Sequence, residues 1–161
     1  MDNIAVKNPI RLLMHIPVPW VFVLTYLAGA SLEFCVPLLR WYGAASGVRL
    51  TGVGLFAIGA AIAGWSLLIF HKSRTTTVPG RKSSKLVTWG PYRFSRNPMY
   101  VGLVLAYLGE AGVLKQVWPI LLLPLTLAYL NWIVIPVEEA RLTEVFGGDY
   151  ERYQEKVGRW I

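Results

Sequence analysis

The stretch Lys85 to Tyr100, KLVTWGPYRFSRNPMY, combines three cations, Lys85, Arg93 and Arg96, with four aromatic rings and no acid. Asn97 and Pro98 stand directly before an apolar run. Proline holds its own φ near the helical value and pushes the residue before it toward extended backbone. That is the geometry an N-cap requires, and an Asn side chain accepts from the first free N–H groups. The spacing predicts a helix from Pro98 with Asn97 as its cap. The positive end of such a helix, beside Arg93 and Arg96, suits a carboxylate or phosphate; a plain cap that binds no ligand is the alternative.

Glu138 and Glu139 are the second chemical feature. Neighbouring residues on a helix do not face the same way, so at most one of the two enters a pocket, as an acceptor for hydroxyl or ammonium groups. An interfacial acid cluster is the other reading. Cys35 is the single cysteine, which excludes an intramolecular disulfide and a cysteine-built metal site. No Ser/His/Asp or metal constellation is evident.

The elements that must position these residues are membrane helices. The chain has 161 residues, 55% of them apolar, and a mean hydropathy of +0.47, too hydrophobic for a soluble domain of this length. Spanning takes about 20 mostly apolar residues. Four segments qualify: Pro17 to Leu39, Leu50 to Phe70, Met99 to Leu114 and Val117 to Val137. The third is short and has Glu110 near its end, so it and the fourth are expected to form a tight hairpin around Lys115 and Gln116.

The net charge of +7 is concentrated. Lys72, Arg74, Arg81, Lys82, Lys85, Arg93 and Arg96 fall between the second and third apolar segments with no acid among them. This is the positive-inside pattern and places that loop, with both termini, in the cytoplasm. Such a loop also suits anionic lipid headgroups; confinement to one membrane-proximal stretch argues against nucleic acid. Ala28-Gly29-Ala30 loosely resembles a signal-peptidase site, but the apolar run continues through it to Leu39, so a retained helix is expected.

Within the spans, Glu33 is expected to be solvated or paired with Arg40. Ala57 with Ala61, and Ala60 with Gly64, stand four apart and predict close helix packing. His71 ends its helix, complementing the dipole. Pro119, Pro124 and Pro136 predict a bent fourth segment. The tail EEARLTEVFGGDYERYQEKVGRWI reads as two short helices broken at Gly147 and Gly148, with Asp149 as an N-cap. Tyr150, Tyr153, Val157 and Trp160 form an apolar stripe, suited to lying on the membrane or closing over the mouth of the bundle.

The order LVTWGPYRFSRNPMYVG, a hydrophobic hairpin, then EEARLTEVFGGDYERYQEKVGRW resembles the isoprenylcysteine carboxyl methyltransferase and phospholipid methyltransferase superfamily of integral membrane enzymes, over Ser84 to Trp160. The resemblance implies an all-α membrane protein with about four transmembrane helices, the last two a hairpin, and short C-terminal interfacial helices. One domain is expected: two N-terminal helices over 1–71, a basic loop over 72–96, and a cofactor-binding hairpin with its tail over 97–161. It also implies S-adenosylmethionine as methyl donor and a lipophilic acceptor. The implied cofactor residues are Lys85, Leu86, Val87, Tyr92, Asn97, Pro98, Met99, Tyr100 and Glu138, with an upstream family glutamine falling near Thr77.

Two departures bear on chemistry. Asn97 stands where the family usually has His. Val134 stands where the isoprenylcysteine enzymes have an arginine that contacts the acceptor carboxylate. Methyl transfer from a sulfonium is an in-line displacement needing proximity and orientation within about 3 to 3.5 Å, consistent with a site that has no catalytic residue of its own. Tyr92 or Tyr100 would contact the adenine or the sulfonium, and Glu138 the ribose or ammonium. Two alternatives stand beside this: an NADPH-dependent membrane reductase of the sterol type, whose relatives are longer, and a non-catalytic scaffold that keeps the fold.

Overall fold

The computed structural model describes residues 17–38, 45–72 and 86–161, and every regular element among them is helical. Lys85, Thr77 and Arg40 lie outside the described residues. Helix α1, Val18–Cys35, has proline in its first turn and stops where Pro37 drives Val36 to φ −138°. Helix α2, Ala45–Lys72, overruns the apolar segment at both ends, taking in Arg49 and closing with His71 and Lys72 in its last turn. Helix α3, Pro98–Leu114, starts at the predicted proline. It ends at Lys115, in the left-handed region, whose N–H reaches the carbonyls of Ala111 and Gly112.

After that tight turn, α4, Trp118–Tyr129, leads through a π-helical turn, Leu130–Val134, into α5, Ile135–Phe146. Pro136 accounts for the irregularity. In an unbroken α-helix it would have no N–H for the Trp132 carbonyl, and its ring would clash there. The wider turn instead bonds the Ile135 N–H to the Leu130 carbonyl. The acidic pair therefore does not open a separate tail helix as expected; Trp118 to Phe146 is one helical run. The break at Gly147 is present, at φ 52° and ψ −130°. Helix α6, Gly148–Lys156, begins one residue before Asp149, which sits in the first turn and pairs with Arg152 instead of capping.

By length and composition α1, α2 and the Trp118–Phe146 run are able to cross a membrane, and α3 is a shorter apolar helix. Its 17 residues rise about 25 Å. It lies along α2, while α4 packs on α1. The α2–α3 seam is made by glycine, but not at the predicted pairs. Ala57, Ala60 and Ala61 face outward and a side chain on Gly64 would meet nothing. The buried stripe is Gly52, Gly59 and Ala63 against Gly102 and Gly109, with half-buried Gly112 continuing it. A Cβ on Gly102 would stand 2.7 Å from the Gly59 carbonyl oxygen and 2.6 Å from the Ala63 nitrogen. Small residues four apart mark several faces of a helix this rich in Gly and Ala, and only the partner selects one.

The end of the bundle away from Glu138 is fastened by polar contacts. Glu33 Oε2 accepts from the backbone N–H groups of Val117 and Trp118 at 2.8 and 3.0 Å. This carboxylate caps α4 from a neighbouring helix, where the dipole favours an anion; the expected pairing with Arg40 lies outside the described residues. Tyr26 donates to Gln116 Oε1 and Tyr107 to the Pro119 carbonyl, both at 2.9 Å, and the two rings meet edge to face at 5.0 Å. Replacing Glu33 by alanine orphans two N–H groups. A loss of about 1–2 kcal/mol is expected in detergent unfolding of the purified protein; an unchanged midpoint would show that solvent already serves as the cap.

Candidate functional site

Four elements converge near the start of α3: the last turn of α2, the 3₁₀ turn Gly90–Arg93, the first turn of α3 and the first turn of α5. Gly90 opens the 3₁₀ turn at φ +65°, and Pro91 follows it. Tyr92 is thereby buried against Phe70, ring centroids 5.2 Å apart and perpendicular, with Ile69 and Val87 in the same apolar cluster. Leu86, beside Val87, is half-buried.

Tyr100 lies one turn into α3 and is 4% exposed. It donates to Glu138 Oε1 at 2.8 Å, joining two of the residues that the sequence picked out 38 positions apart. The second oxygen of Glu138 takes no hydrogen bond from the described residues. Tyr92 belongs to the same electrostatic neighbourhood. Its phenol is pushed well above the usual tyrosine range, first by burial, then by Tyr153 and, more weakly, Glu138, with Ser66 opposing. Burial likewise raises Tyr153 and Tyr150. These phenols therefore stay protonated at physiological pH.

Asn97 behaves differently from its expected role. Its side chain makes no cap; Nδ2 donates to the Arg159 carbonyl at 3.0 Å, while its own N–H goes to Ser95 Oγ at 3.0 Å. The tail carbonyl fixes the carboxamide through its Nδ2, in an orientation whose oxygen makes no cap hydrogen bond. Pro98 is buried and Met99 packs on the main core, so neither presents a polar group. Val134 is buried in the π turn, an apolar residue among Leu130 and Ile135.

Glu139 points away from Glu138, as the helical geometry requires, into a cation pair that sequence reading missed. Arg96 lies 2.9 Å from its Oε1 and Arg159 lies 2.6 Å from its Oε2. Arg96 and Glu139 side chains are each 13% exposed. The Arg96 contact is an ion pair without hydrogen-bond alignment. Arg159 also reaches the carbonyl and Oδ1 of Asn131 at 3.4 and 3.3 Å, and Trp160 Nε1 donates to that Oδ1 at 3.2 Å. In a π turn the Asn131 carbonyl would accept from residue 136, which is proline and has no N–H, so a tail guanidinium takes its place. A signal existed: an acid that cannot share its neighbour's direction needs a cation elsewhere, and Arg159 is in the tail.

The tail's aromatic stripe closes on this region. Tyr150 is 1% exposed, and Tyr153 donates to the Tyr92 carbonyl at 2.6 Å. A separate open groove of about 490 Å³, lined by residues such as Thr51, Leu55 and Leu108, lies at the opposite end of the α2–α3 pair and touches none of these groups.

The phospholipid methyltransferase family matches residues 48–149. The chain is 31% identical over 148 residues to the cobalt-zinc-cadmium resistance protein CzcN of Cupriavidus metallidurans, covering 91% of this chain and 60% of that one. It is 30% identical over 111 residues to the protein-S-isoprenylcysteine O-methyltransferase of Schizosaccharomyces pombe, covering 68% of this chain and 47% of the relative. The chain thus spans about half to three-fifths of the lengths of these relatives. No solved structure matches it. With its four apolar helices and the residues gathered at the start of α3, the chain belongs to the phospholipid methyltransferase family of membrane proteins.

Proposed function

We propose that the chain is an S-adenosylmethionine-dependent methyltransferase whose acceptor is a lipophilic molecule carrying an amine, thiol or carboxylate. The observation that carries this reading is the buried Tyr100–Glu138 hydrogen bond at 2.8 Å, beside Tyr92, at the junction of α3 and α5. The names of the relatives, one a phospholipid family and one an isoprenylcysteine enzyme, support a lipid or lipid-modified acceptor. The seven cations from Lys72 to Arg96 support a cytoplasmic position for this end of the bundle.

The residues present fit the donor. Tyr100 uses one Glu138 oxygen and holds the carboxylate in a single orientation. The other oxygen is left to accept from a ribose hydroxyl or an ammonium group. Tyr92 and Tyr100 provide aromatic surface for an adenine or a sulfonium. Leu86, Val87, Pro98 and Met99 supply apolar walls that exclude water, and Asn97 holds the segment between them; Lys85 completes the set by resemblance. When bound, S-adenosylmethionine supplies a methyl group already activated on a sulfonium. What remains for the protein is to orient and to exclude water, which such side chains do without a general base.

The test is incubation of the reconstituted chain with methyl-labelled S-adenosylmethionine and a total membrane lipid extract, with NADPH binding measured in parallel. Label is expected in the lipid phase and NADPH is expected not to bind. NADPH binding without label transfer would favour the reductase reading; donor binding without transfer to any extracted lipid, thiol, amine or carboxylate would favour a scaffold.

A further inference from the structure

The tail residues Gly158, Arg159 and Trp160 follow the end of α6 and make a series of contacts with parts of the chain that carry the donor site. The Gly158 carbonyl accepts from the Arg96 N–H at 2.9 Å. The Arg159 carbonyl accepts from Asn97 Nδ2 at 3.0 Å and more weakly from Ser95 Oγ at 3.4 Å. The Arg159 side chain holds Glu139 through Nε at 3.2 Å and NH2 at 2.6 Å, and reaches Asn131 in the π turn. Trp160 donates to the same Asn131 and packs on the main core.

Asn97 is three residues before Tyr100, and Glu139 is next to Glu138. The strap therefore fastens the two segments that present the proposed donor-binding pair. The backbones of α3 and α5 are not closely packed against one another. Besides the shared apolar core, the polar links between them among the described residues are the Tyr100–Glu138 hydrogen bond, the Arg96–Glu139 ion pair, and this strap.

Resting on the function proposed above, we infer that Gly158–Trp160 is a positioning strap for the Tyr100–Glu138 pair, with Arg159 as its anchor. Arg159 touches neither member of the pair; it acts through Glu139, Asn131 and Asn97. Its planar guanidinium serves a carboxylate and an amide at once. A lysine ammonium offers a point charge, which satisfies Glu139 at the expense of Asn131. Loss of the anchor leaves Glu139 with Arg96 as its remaining cation among the described residues and frees the start of α3 to shift against α5. Displacements of about 1 Å in such supports cost up to a hundredfold in function.

The experiment titrates labelled S-adenosylmethionine against the full chain in lipid nanodiscs, reading both affinity and the number of sites per chain. Arg159→Ala is expected to raise the donor Kd about tenfold or more with the number of sites unchanged, and Arg159→Lys to give an intermediate Kd. Arg152→Ala, on an exposed tail pair with Asp149, is expected to match the parent. A merely structural role would lower the number of competent sites and leave the Kd of the remainder alone. That result, or a parental Kd in folded Arg159→Ala, would overturn the strap while leaving the methyltransferase reading intact. If Arg159→Ala does not fold, Arg159→Lys decides by the same two readouts. A parent that binds no donor would overturn both readings.

Discussion

Glu138→Gln is expected to bind S-adenosylmethionine about 10- to 150-fold more weakly than the parent while unfolding at nearly the same point. The glutamine amide has the size of the carboxyl group, and its oxygen can still accept from Tyr100, so the buried phenol keeps a partner. What disappears is the charge-assisted acceptor for the donor's hydroxyl or ammonium groups, worth about 1.5–3 kcal/mol. Glu138→Ala removes both. It leaves the Tyr100 hydroxyl, in a residue 4% exposed, without its acceptor, and a further loss of about 1–3 kcal/mol in stability is expected. Equilibrium binding of labelled donor and detergent unfolding, run on both variants, separate the two effects. Parental affinity in Glu138→Gln would remove this residue from the site.

The second large effect concerns the seam and not the chemistry. Gly109→Val places a side chain where a Cβ alone would stand 2.7 Å from the Gly52 carbonyl oxygen and 2.7 Å from the Phe56 Cα. Both are backbone atoms of α2, so no rotamer change relieves the clash and the two helices must separate along their length. Overpacking of this kind costs about 1–3 kcal/mol or more, and without a hydrophobic drive between helices in lipid the close contact is what holds them. A loss of about 3 kcal/mol is expected. Gly54→Val, on the same α2 helix where a side chain meets nothing, carries the same change in intrinsic propensity and is expected to stay within about 0.5 kcal/mol of the parent. Equal destabilisation in the two variants would show that helix propensity, and not the seam, governs stability.

Much of the bundle was legible beforehand because membrane helices are written in long uninterrupted apolar runs. The Pro98 helix start and the break at Gly147 coincide with residues whose backbone restrictions are local, whereas α3 and α4, expected to pair as a tight hairpin, pack chiefly on α2 and α1. The errors share a cause. Asn97 and Asp149 are polar side chains whose partners depend on what lies nearby in space, and each has a different partner from the one local chemistry suggested. Ala57 and Ala60 satisfied the spacing rule but lie on the outward face.

Sequence by itself determined the class of protein and the start of α3, and the motif order named Tyr100 and Glu138 among the residues to look at. These follow from hydropathy, from proline and glycine backbone limits, and from motif order, all of which act within a few residues. Tertiary structure alone decided which glycines form the seam, that Glu139 turns to Arg96 and Arg159 while Glu138 turns to Tyr100, and that the tail crosses the start of α3. Those outcomes rest on hydrogen bonds and ion pairs between residues tens of positions apart. A polar group leaving water takes the partner that packing brings to it.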